Sequence, residues 1–255
     1  MTDLAKFGSL RGKRVFVTGG GSGIGESIVT AFAEQGAQVA FVDIVRDASE
    51  ALVEKIKAAG HTAPVFRHCD ITDIPALQQT IADLAASLGD FDVLVNNAAN
   101  DQRHNAEEVT LEYWDNRIAI NQRPMFFTCQ SVIPGMKKKG TGSIINISSI
   151  SFHAKGAGYP VYATTKSAVI GLTRSLARDL GGFGIRVNTV TPGWVMTQRQ
   201  LDLWVDEAAK AEIARTQCLP GALMPSHIAS MVLFLAADDS AMCTAQEFIV
   251  DAGWV

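Results

Sequence analysis

The segment Thr18-Gly19-Gly20-Gly21-Ser22-Gly23-Ile24-Gly25 decides how the rest of the chain is interpreted. It lies between a predicted strand, Arg14 to Val17, and a predicted helix, Gly25 to Gln35. Its glycines permit a tight turn and let backbone amides approach a pyrophosphate, while the following helix directs its positive dipole end at that anion. Glycine-rich turns are common, but the order of strand, turn and helix is specific. It predicts the first unit of a dinucleotide-binding sheet.

The same alternation of strand and helix continues along the chain. Further strands are predicted at 38–42, 65–66, 93–95, 143–147, 185–190 and 247–250, and helices at 47–59, 75–88, 112–136, 162–180 and 227–236. The strands are apolar without polar alternation, so both of their faces are expected to be buried. The pattern predicts an α/β fold with one doubly wound, Rossmann-like parallel sheet and helices on both faces. No linker or repeat divides residues 1–255, so a single domain is expected, with an irregularity near Pro124.

The composition argues against several classes of protein. Hydrophobic residues make up 47% and charged residues 19% of the chain, and the net charge of −4 disfavours nucleic acid as a partner. The apolar run Met231 to Ala237 is too short to cross a bilayer, and Met1 to Lys13 lacks the apolar core of a signal peptide. The four cysteines are scattered without a histidine cluster, so no metal site is expected, and free thiols suit the cytoplasm.

Residues 194–225 interrupt the alternation. The segment is rich in charge and in helix formers, most clearly from Glu207 to Ala214, and it follows a predicted strand. Ligands of open parallel sheets bind beyond the carboxyl ends of the strands. The segment is therefore a candidate lid over a ligand site, and an ordinary pair of surface helices is the alternative.

An acidic residue follows the second strand. The carboxylate of Asp43 can accept hydrogen bonds from both ribose hydroxyls of an adenosine and would repel a 2′-phosphate, which favours NAD over NADP. Arg46 lies close enough in sequence to offset part of that repulsion. After the third strand, Asp70 and Ile71 are placed to meet the adenine, although a helix N-cap is an alternative role for Asp70.

Five further motifs occur in order, and together with the glycine turn they resemble the short-chain dehydrogenase/reductase family over almost the whole chain. They are Asn96-Asn97-Ala98-Ala99, in which alanine replaces the last glycine of an NNAG motif, then Asn121, Ser149, the YxxxK pair Tyr162 and Lys166, and Pro192-Gly193. The resemblance implies NAD contacts from the glycine turn, from the two acids and from later loops. The implied contact residues are Gly19, Ser22, Gly23, Ile24, Gly25, Asp43, Ile44, Asp70, Ile71, Asn97, Ala98, Tyr162, Lys166, Pro192, Gly193, Val195 and Thr197.

The candidate catalytic residues are Asn121, Ser149, Tyr162 and Lys166. Tyr162 and Lys166 are one helical turn apart, so the lysine cation is expected to lower the phenol pKa and let Tyr162 act as a base. The Ser149 hydroxyl can hold the substrate oxygen, and Asn121 is expected to bend its helix and hold a water that links Lys166 to solvent. Ser148 is the alternative serine, but its spacing is less suitable. No GxSxG motif supports a hydrolase.

Two polar loops follow the fourth and fifth strands, at residues 97–104 and 149–153, and suit a polyhydroxylated substrate. Their details, including the NAAND-x-RH motif, resemble bacterial NAD-dependent sugar dehydrogenases of the xylose and galactose 1-dehydrogenase type. That resemblance implies oxidation of an aldose at its anomeric hydroxyl to a lactone. The candidate substrate contacts are Asn100, Ser149, Ser151, His153, Tyr162 and Trp194.

The sequence also bears on two alternative functions and on the oligomeric state. A carbonyl reductase, such as a 3-oxoacyl reductase, is disfavoured by Asp43, because reductive enzymes usually use NADPH. A non-catalytic NAD(H)-binding sensor is disfavoured because Tyr162 and Lys166 are both present. The family resemblance implies a homotetramer, and the apolar stretch Phe248 to Val255 suits an interface, although it can equally pack on its own subunit.

Overall fold

The computed structural model describes residues 5–255, whose strands form one seven-stranded, fully parallel sheet in the order β3-β2-β1-β4-β5-β6-β7. The strands are β1 (Arg14–Thr18), β2 (Gln38–Asp43), β3 (Val65–His68), β4 (Val93–Asn96), β5 (Gly142–Ile147), β6 (Ile185–Pro192) and β7 (Glu247–Val250). The strand order reverses between β1 and β4, and the crevice at such a reversal is where dinucleotides bind. All seven predicted strands and the predicted fold class are confirmed.

Nine α-helices connect or follow these strands in residues 5–255. They are α1 (Gly23–Glu34), α2 (Arg46–Ala58), α3 (Ile74–Leu88), α4 (Leu111–Asn121), α5 (Arg123–Lys139), α6 (Pro160–Leu180), α7 (Gln198–Leu203), α8 (Glu207–Thr216) and α9 (Pro225–Ala236). Within this part of the chain, no helix combines the length and the apolar character needed to span a membrane.

Each face of the sheet carries its own apolar core. Val15 and Val17 of β1 pack with α1, α2 and α9 on one face, whereas Phe16 packs with α3, α5 and α6 on the other. Successive side chains of a strand point to opposite faces, so a strand buried on both sides must be apolar at every position. This double burial explains why the strands show no polar alternation.

The predicted long helix 112–136 is two helices. The backbone of Gln122 leaves the helical region, with φ −128° and ψ −54°, so α4 ends at Asn121 and α5 begins at Arg123. Pro124 lies in the first turn of α5, where a missing N–H does no harm. The irregularity predicted near Pro124 is therefore confirmed as a break directly after Asn121.

The excursion at 194–225 contains α7 and α8, and its two ends are joined by a parallel bridge between Val195 and Leu223. It is a closed loop that starts and ends at the carboxyl edge of β6. The sequence indicated α8 but missed the six-residue α7. The excursion's role as a lid stays a prediction.

A buried polar network lies between the sheet and the helices α5 and α6. Asn96 Nδ2 of β4 donates to Asn146 Oδ1 of β5 at 2.9 Å, and the Thr128 hydroxyl of α5 donates to Asn96 Oδ1. Asn146 Nδ2 donates to Thr173 Oγ1 of α6 at 2.9 Å, and the Thr189 hydroxyl of β6 also reaches Thr173 Oγ1, at 2.8 Å. Because buried polar groups are costly without partners, the network specifies how these elements meet.

Thr173→Val is expected to lower the free energy of unfolding by about 1–3 kcal/mol, because the isosteric valine deprives the buried Asn146 amide of its acceptor. Thr164→Val on the same helix is the matched control. Its hydroxyl is exposed and bonds to the Pro160 carbonyl, so a change within about 0.5 kcal/mol is expected. Urea denaturation followed by circular dichroism measures both. Equal effects of the two variants would show that the network adds no stability.

Candidate active site

The turn between β1 and α1 is a cradle that side chains would fill. A Cβ on Gly25 would lie 1.8 Å from the Gly19 carbonyl oxygen, and one on Gly19 would lie 2.9 Å from Ala98 Cα. Gly19 and Gly23 both have positive φ, 65° and 58°. Ser22, the N-cap of α1, makes no capping hydrogen bond with its side chain, so its hydroxyl and the first amides of α1 are available to an anion. The turn therefore fits the pyrophosphate of a dinucleotide.

Asn97, which directly follows β4, holds this turn through hydrogen bonds. Its side-chain amide donates to the carbonyl oxygens of Thr18 at 3.2 Å and Gly19 at 2.9 Å. In return, the Thr18 hydroxyl accepts from the backbone amides of Asn97 and Ala98. Asn97 thus holds the cradle through its side chain, and Ala98 lies directly beside it. Whether either residue touches a cofactor stays a prediction.

Asp43 ends β2 beside the same turn. Its carboxylate accepts from the backbone amides of Gly21 and Val45, both at 2.9 Å, which fixes the negative charge next to the glycines. Arg46 pairs with Glu50, one turn along α2, at 3.5 Å. Ile44 is exposed beside Asp43, and its contact with the cofactor stays a prediction.

Asp70 lies beyond the end of β3 and forms a local turn. Its carboxylate accepts from the backbone amide and the hydroxyl of Thr72, at 2.9 and 2.8 Å. The N-cap of α3 is Asp73, which accepts from the Ala76 amide, so the alternative role of Asp70 as an N-cap is wrong. Only two residues lie between Asp70 and Asp73, and sequence alone gave no reason to prefer the second. Ile71 is buried beside this turn.

The segment after β6 reaches back over the glycine turn. Pro192 ends the strand, and the Gly193 amide donates to the Val250 carbonyl at 2.9 Å. Val195 is buried, and a Cβ on Gly23 would lie 3.2 Å from Thr197 Cγ2, which places Thr197 over the start of α1. The fold therefore brings the segment after β6 close to the glycine turn between β1 and α1.

Tyr162, Lys166 and Ser149 converge at the carboxyl ends of β5 and β6. Lys166 is fully buried, its ammonium lies 5.7 Å from the centre of the Tyr162 ring, and it donates to the Ile147 carbonyl at 2.9 Å. Ser149 follows β5, its hydroxyl accepts from the Ser151 amide at 3.2 Å, and it lies near enough to the Tyr162 phenol to lower its pKa. The predicted serine, tyrosine and lysine thus share one site.

Burial controls the protonation of this group. It raises the pKa of Tyr162, and the nearby charge of Asp101 raises it further, while the neighbouring Ser149 hydroxyl lowers it. Burial also lowers the pKa of Lys166 from 10.5 to about 8, with Asp101 acting in the opposite direction. The expectation that Lys166 lowers the Tyr162 pKa below its usual value is therefore wrong for the protein's own groups, because desolvation outweighs a cation held at the Ile147 carbonyl.

The structure separates the two candidate serines. The Ser148 hydroxyl is buried and donates to the Lys166 carbonyl at 2.7 Å, so it ties the strand end to α6. The Ser149 hydroxyl faces Tyr162 instead. Their opposite orientations follow from the alternation of an extended chain, as the sequence predicted.

Asn121 holds the loop that follows β4. Its side-chain oxygen accepts from the Asn100 amide at 2.7 Å and its nitrogen donates to the Asn100 carbonyl at 3.0 Å. The predicted helix break next to Asn121 is confirmed. Its side-chain amide is occupied by the Asn100 backbone and so positions that loop, while the predicted role of Asn121 in holding a water that links Lys166 to solvent stays a prediction.

The candidate substrate contacts on the loop after β5 differ in their environments. The Ser151 hydroxyl is buried and forms no hydrogen bond within residues 5–255. His153 Nε2 lies 2.8 Å from Glu247 Oε1 of β7, which also accepts from the Thr191 hydroxyl at 2.7 Å. The sequence gave no signal for the His153–Glu247 pair, because 94 residues separate its members. Ser151 therefore has donor capacity to spare, whereas His153 already has a partner.

The loop after β4 contacts the excursion mostly through residues that sequence reasoning did not select, with Trp194 as the exception. The Asp101 carboxylate accepts from Arg199 Nε at 3.2 Å and from Gln200 Nε2. The Arg103 guanidinium lies over Trp204, 4.5 Å from the ring centre, and 5.5 Å from that of Trp194. The polar character of residues 97–104 was the available signal for Asp101, whereas Gln200 lies on the helix that was missed.

A doubly wound sheet that brings this glycine turn together with a serine, a tyrosine and a lysine defines a nicotinamide-dependent oxidoreductase. The comparisons with known proteins agree. A family model described as enoyl-(acyl carrier protein) reductase matches residues 19–255. The chain belongs to the short-chain dehydrogenase/reductase family.

Two curated relatives are similar over almost their whole length. The D-xylose 1-dehydrogenase of Caulobacter vibrioides is 47% identical over 250 residues, 98% of each chain. The probable galactose dehydrogenase GalD of Rhizobium meliloti is 47% identical over 249 residues, 98% of this chain and 97% of that protein. Among solved structures, the 3-oxoacyl-[acyl-carrier protein] reductase of Brucella melitensis is 29% identical with a TM-score of 0.92, covering 100% of this chain and 98% of that one. The predicted resemblance to sugar dehydrogenases is confirmed.

Lys166→Met is expected to raise the free energy of unfolding at pH 7 by up to about 3 kcal/mol. The wild-type chain keeps a buried ammonium whose pKa is lowered from 10.5 to about 8, and burying that charge costs about this much stability. The unfolded lysine binds more protons than the folded one between pH 8 and 10.5. The gain is therefore complete below pH 8 and fades as the pH rises to 10.5. Denaturant titrations across that range measure it.

Lys57→Met, which changes an exposed lysine of α2, is the control and should show no such gain. A gain for Lys166→Met that persists undiminished above pH 10.5 would contradict the assignment of the cost to the buried charge.

Proposed function

We propose that this chain oxidises an aldose at its anomeric hydroxyl to an aldonolactone, with NAD as the hydride acceptor. The observation that carries the proposal is 47% identity, over nearly the whole chain, to relatives named for D-xylose and galactose. The polar lining of the site supports it, because Asn100, Ser149 and Ser151 offer hydrogen-bonding groups to a polyhydroxylated ring.

In the proposed reaction, Tyr162 removes the proton of the anomeric hydroxyl. Ser149 donates to the same substrate oxygen and keeps it in line with the phenol, while the carbon–oxygen bond gains double-bond character. The chemistry that NAD supplies when bound is acceptance of the hydride from the anomeric carbon. The proton and the hydride leave from adjacent atoms, so the products are the lactone, NADH and one proton.

Lys166 and Asn121 support the two groups that act directly. Lys166 has a pKa of about 8 and is therefore charged at neutral pH. Its ammonium favours the Tyr162 phenolate and opposes the effect of burial. Asn121 fixes the Asn100 backbone, which borders the site. Because burial raises the pKa of Tyr162, the phenol keeps its proton at neutral pH, and we expect sugar oxidation to become faster as the pH rises.

The preference for NAD over NADP is proposed from Asp43. Its carboxylate is fixed beside Gly21 and keeps lone pairs free for ribose hydroxyls, while a 2′-phosphate at that position meets a negative charge. Arg46 pairs with Glu50. The proposal extends to the remaining implied NAD contacts, from Gly19 to Thr197.

We also propose that residues 194–225 act as the lid of this site. The hydrogen bonds of Asp101 to α7, and the stacking of Arg103 on Trp194 and Trp204, support this role, since they join the excursion to the loop that carries Asn100.

A homotetramer is proposed from the family, and exposed apolar side chains support it. Leu111, Trp114 and Phe126 are exposed on α4 and α5, and Ile249 and Val255 near the end of the described chain. For the location of the reaction we propose the cytoplasm, because the four cysteines are free thiols.

The function is tested with a panel of aldoses and NAD, following NADH by its absorbance. Oxidation of at least one pentose or hexose is expected, with the rate rising from pH 7 to pH 8, below the pKa at which Lys166 loses its charge. Tyr162→Phe should lower kcat by about 10²–10⁴-fold while NADH binding, measured by fluorescence, is retained. Tyr113→Phe is the control variant and should keep the wild-type kcat.

Two outcomes favour the alternatives. NADPH-dependent reduction of a 3-oxoacyl substrate, without sugar oxidation, would indicate a carbonyl reductase. Tight NADH binding without turnover of either substrate would indicate a sensor. Full sugar oxidation by Tyr162→Phe would contradict the mechanism and leave the substrate assignment standing.

Asp43→Asn is expected to lower the ratio of kcat/KM with NAD to kcat/KM with NADP by at least about tenfold, because the amide loses charged hydrogen bonds to the ribose and no longer repels a phosphate. Asp47→Asn, on the exposed first turn of α2, is the matched control and should leave the ratio unchanged. A ratio that stays constant in Asp43→Asn would remove Asp43 from cofactor selection.

A further inference from the structure

A relay of hydrogen bonds runs from the loop after β4 to Trp194, the first residue of the excursion. Gln200 Nε2 donates to the Asp101 carboxylate, and Gln200 Oε1 accepts from the indole nitrogen of Trp194 at 2.9 Å. A carboxylate only accepts and an indole only donates, so the orientation of the Gln200 amide is fixed by its two partners. The three side chains therefore form one ordered unit.

Two neighbouring groups also restrict the position of the Trp194 ring. The Arg103 guanidinium lies 5.5 Å from the ring centre, and the Trp254 ring lies 6.2 Å away at an angle of 55°. Trp254 is itself held, because its backbone amide donates to Asp251 at 3.0 Å. An indole fixed at its nitrogen and flanked by these groups has one defined position.

The relay borders the reacting groups. The loop that carries Asp101 packs on the start of α6, because the Val161 amide donates to His104 Nε2 at 3.2 Å and the His104 amide donates to the Gly158 carbonyl at 2.7 Å. The charge of Asp101 also raises the pKa of both Tyr162 and Lys166. Gln200 and Trp194 are joined to the Asp101 carboxylate by the relay, so the indole is held to the same loop that borders Tyr162.

We infer that Asp101 and Gln200 are positioning residues that determine substrate specificity by fixing Trp194 as a wall against the C–H face of the sugar ring. This rests on the proposed function. An indole face is a large, rigid apolar surface, and the C–H face of an aldose is the apolar part of an otherwise polar substrate. A fixed wall favours those aldoses whose ring presents that face to Trp194 when the anomeric hydroxyl is at Tyr162.

The first test is Gln200→Leu, which is close in size and removes both hydrogen bonds of the relay. The KM for the best aldose of the panel should rise about tenfold, as expected for a lost hydrogen bond, while kcat and the KM for NAD stay near wild type. Gln198→Leu is the matched control: it changes the same residue type on the same helix, where Gln198 bonds to Asp202. It should leave all three constants unchanged.

The second test is a double-mutant cycle. Trp194→Phe keeps an aromatic ring and deletes the indole N–H, so it should raise the same KM, and adding Gln200→Leu to it should cause no further increase. Asp101→Ala should also raise the KM, whereas Asp101→Asn, which still accepts from Gln200, should restore most of the affinity. Independent, multiplying effects of Gln200→Leu and Trp194→Phe would overturn the relay.

The two proposals fail in different ways. Wild-type protein that oxidises no aldose overturns the proposed function and this inference with it. Wild-type protein that oxidises an aldose, with an unchanged KM in Gln200→Leu, overturns the inference alone. If Gln200→Leu does not fold, as judged by circular dichroism, Trp194→Phe and the Asp101 pair decide the question, and an unchanged KM in all of them overturns the inference.

Discussion

The site depends first on the close approach of two backbones at the β1–α1 turn. The Gly19 carbonyl occupies the space where a Cβ of Gly25 would lie, and the Ala98 backbone closes on Gly19 from the neighbouring strand. Because both contacts exclude side chains, α1 begins directly above the crevice between β1 and β4, with its free amides exposed to an anion. Asn97 and Thr18 then join the two strand ends with hydrogen bonds, so the cofactor cradle and the loop that leads to Asn100 are positioned by the same contact.

The residues around Tyr162 are held in an arrangement that lowers the stability of the fold. Lys166 is buried as a cation with a backbone carbonyl as its hydrogen-bond partner, and its lowered pKa reflects the cost of that placement. The same burial raises the pKa of Tyr162, which makes the phenol a proton carrier whose charge state depends on its immediate neighbours. Ser149, Lys166 and Asp101 act on it in different directions, and they come from three separate loops and helices. The chemistry of the site is therefore set by convergence of elements and by burial more than by the four-residue spacing of one motif.

The sequence was sufficient to predict the sheet, all seven strands and the residues that converge on the site, because double burial leaves a continuous apolar pattern and because Ser149, Tyr162 and Lys166 occur at family spacing. It was not sufficient where a side chain's partner is distant in the chain. The pairing of His153 with Glu247 and the contact of Asp101 with α7 depend on tertiary proximity. The direction of the Tyr162 pKa shift also needed the structure, since the sequence shows the nearby lysine but not the degree of burial. Asp70 and Asp73 illustrate a local limit, as two equivalent acids compete for one cap.

The polar network of Asn96, Asn146 and Thr173 bears on how the chain assembles. Its members come from β4, β5 and α6, with Thr128 of α5 and Thr189 of β6 completing it. A partly assembled intermediate that buries β4 and β5 before these helices arrive leaves amide groups dehydrated and unpaired. Such intermediates have a higher free energy than both the unfolded and the native chain. The second half of the sheet therefore forms in one cooperative step.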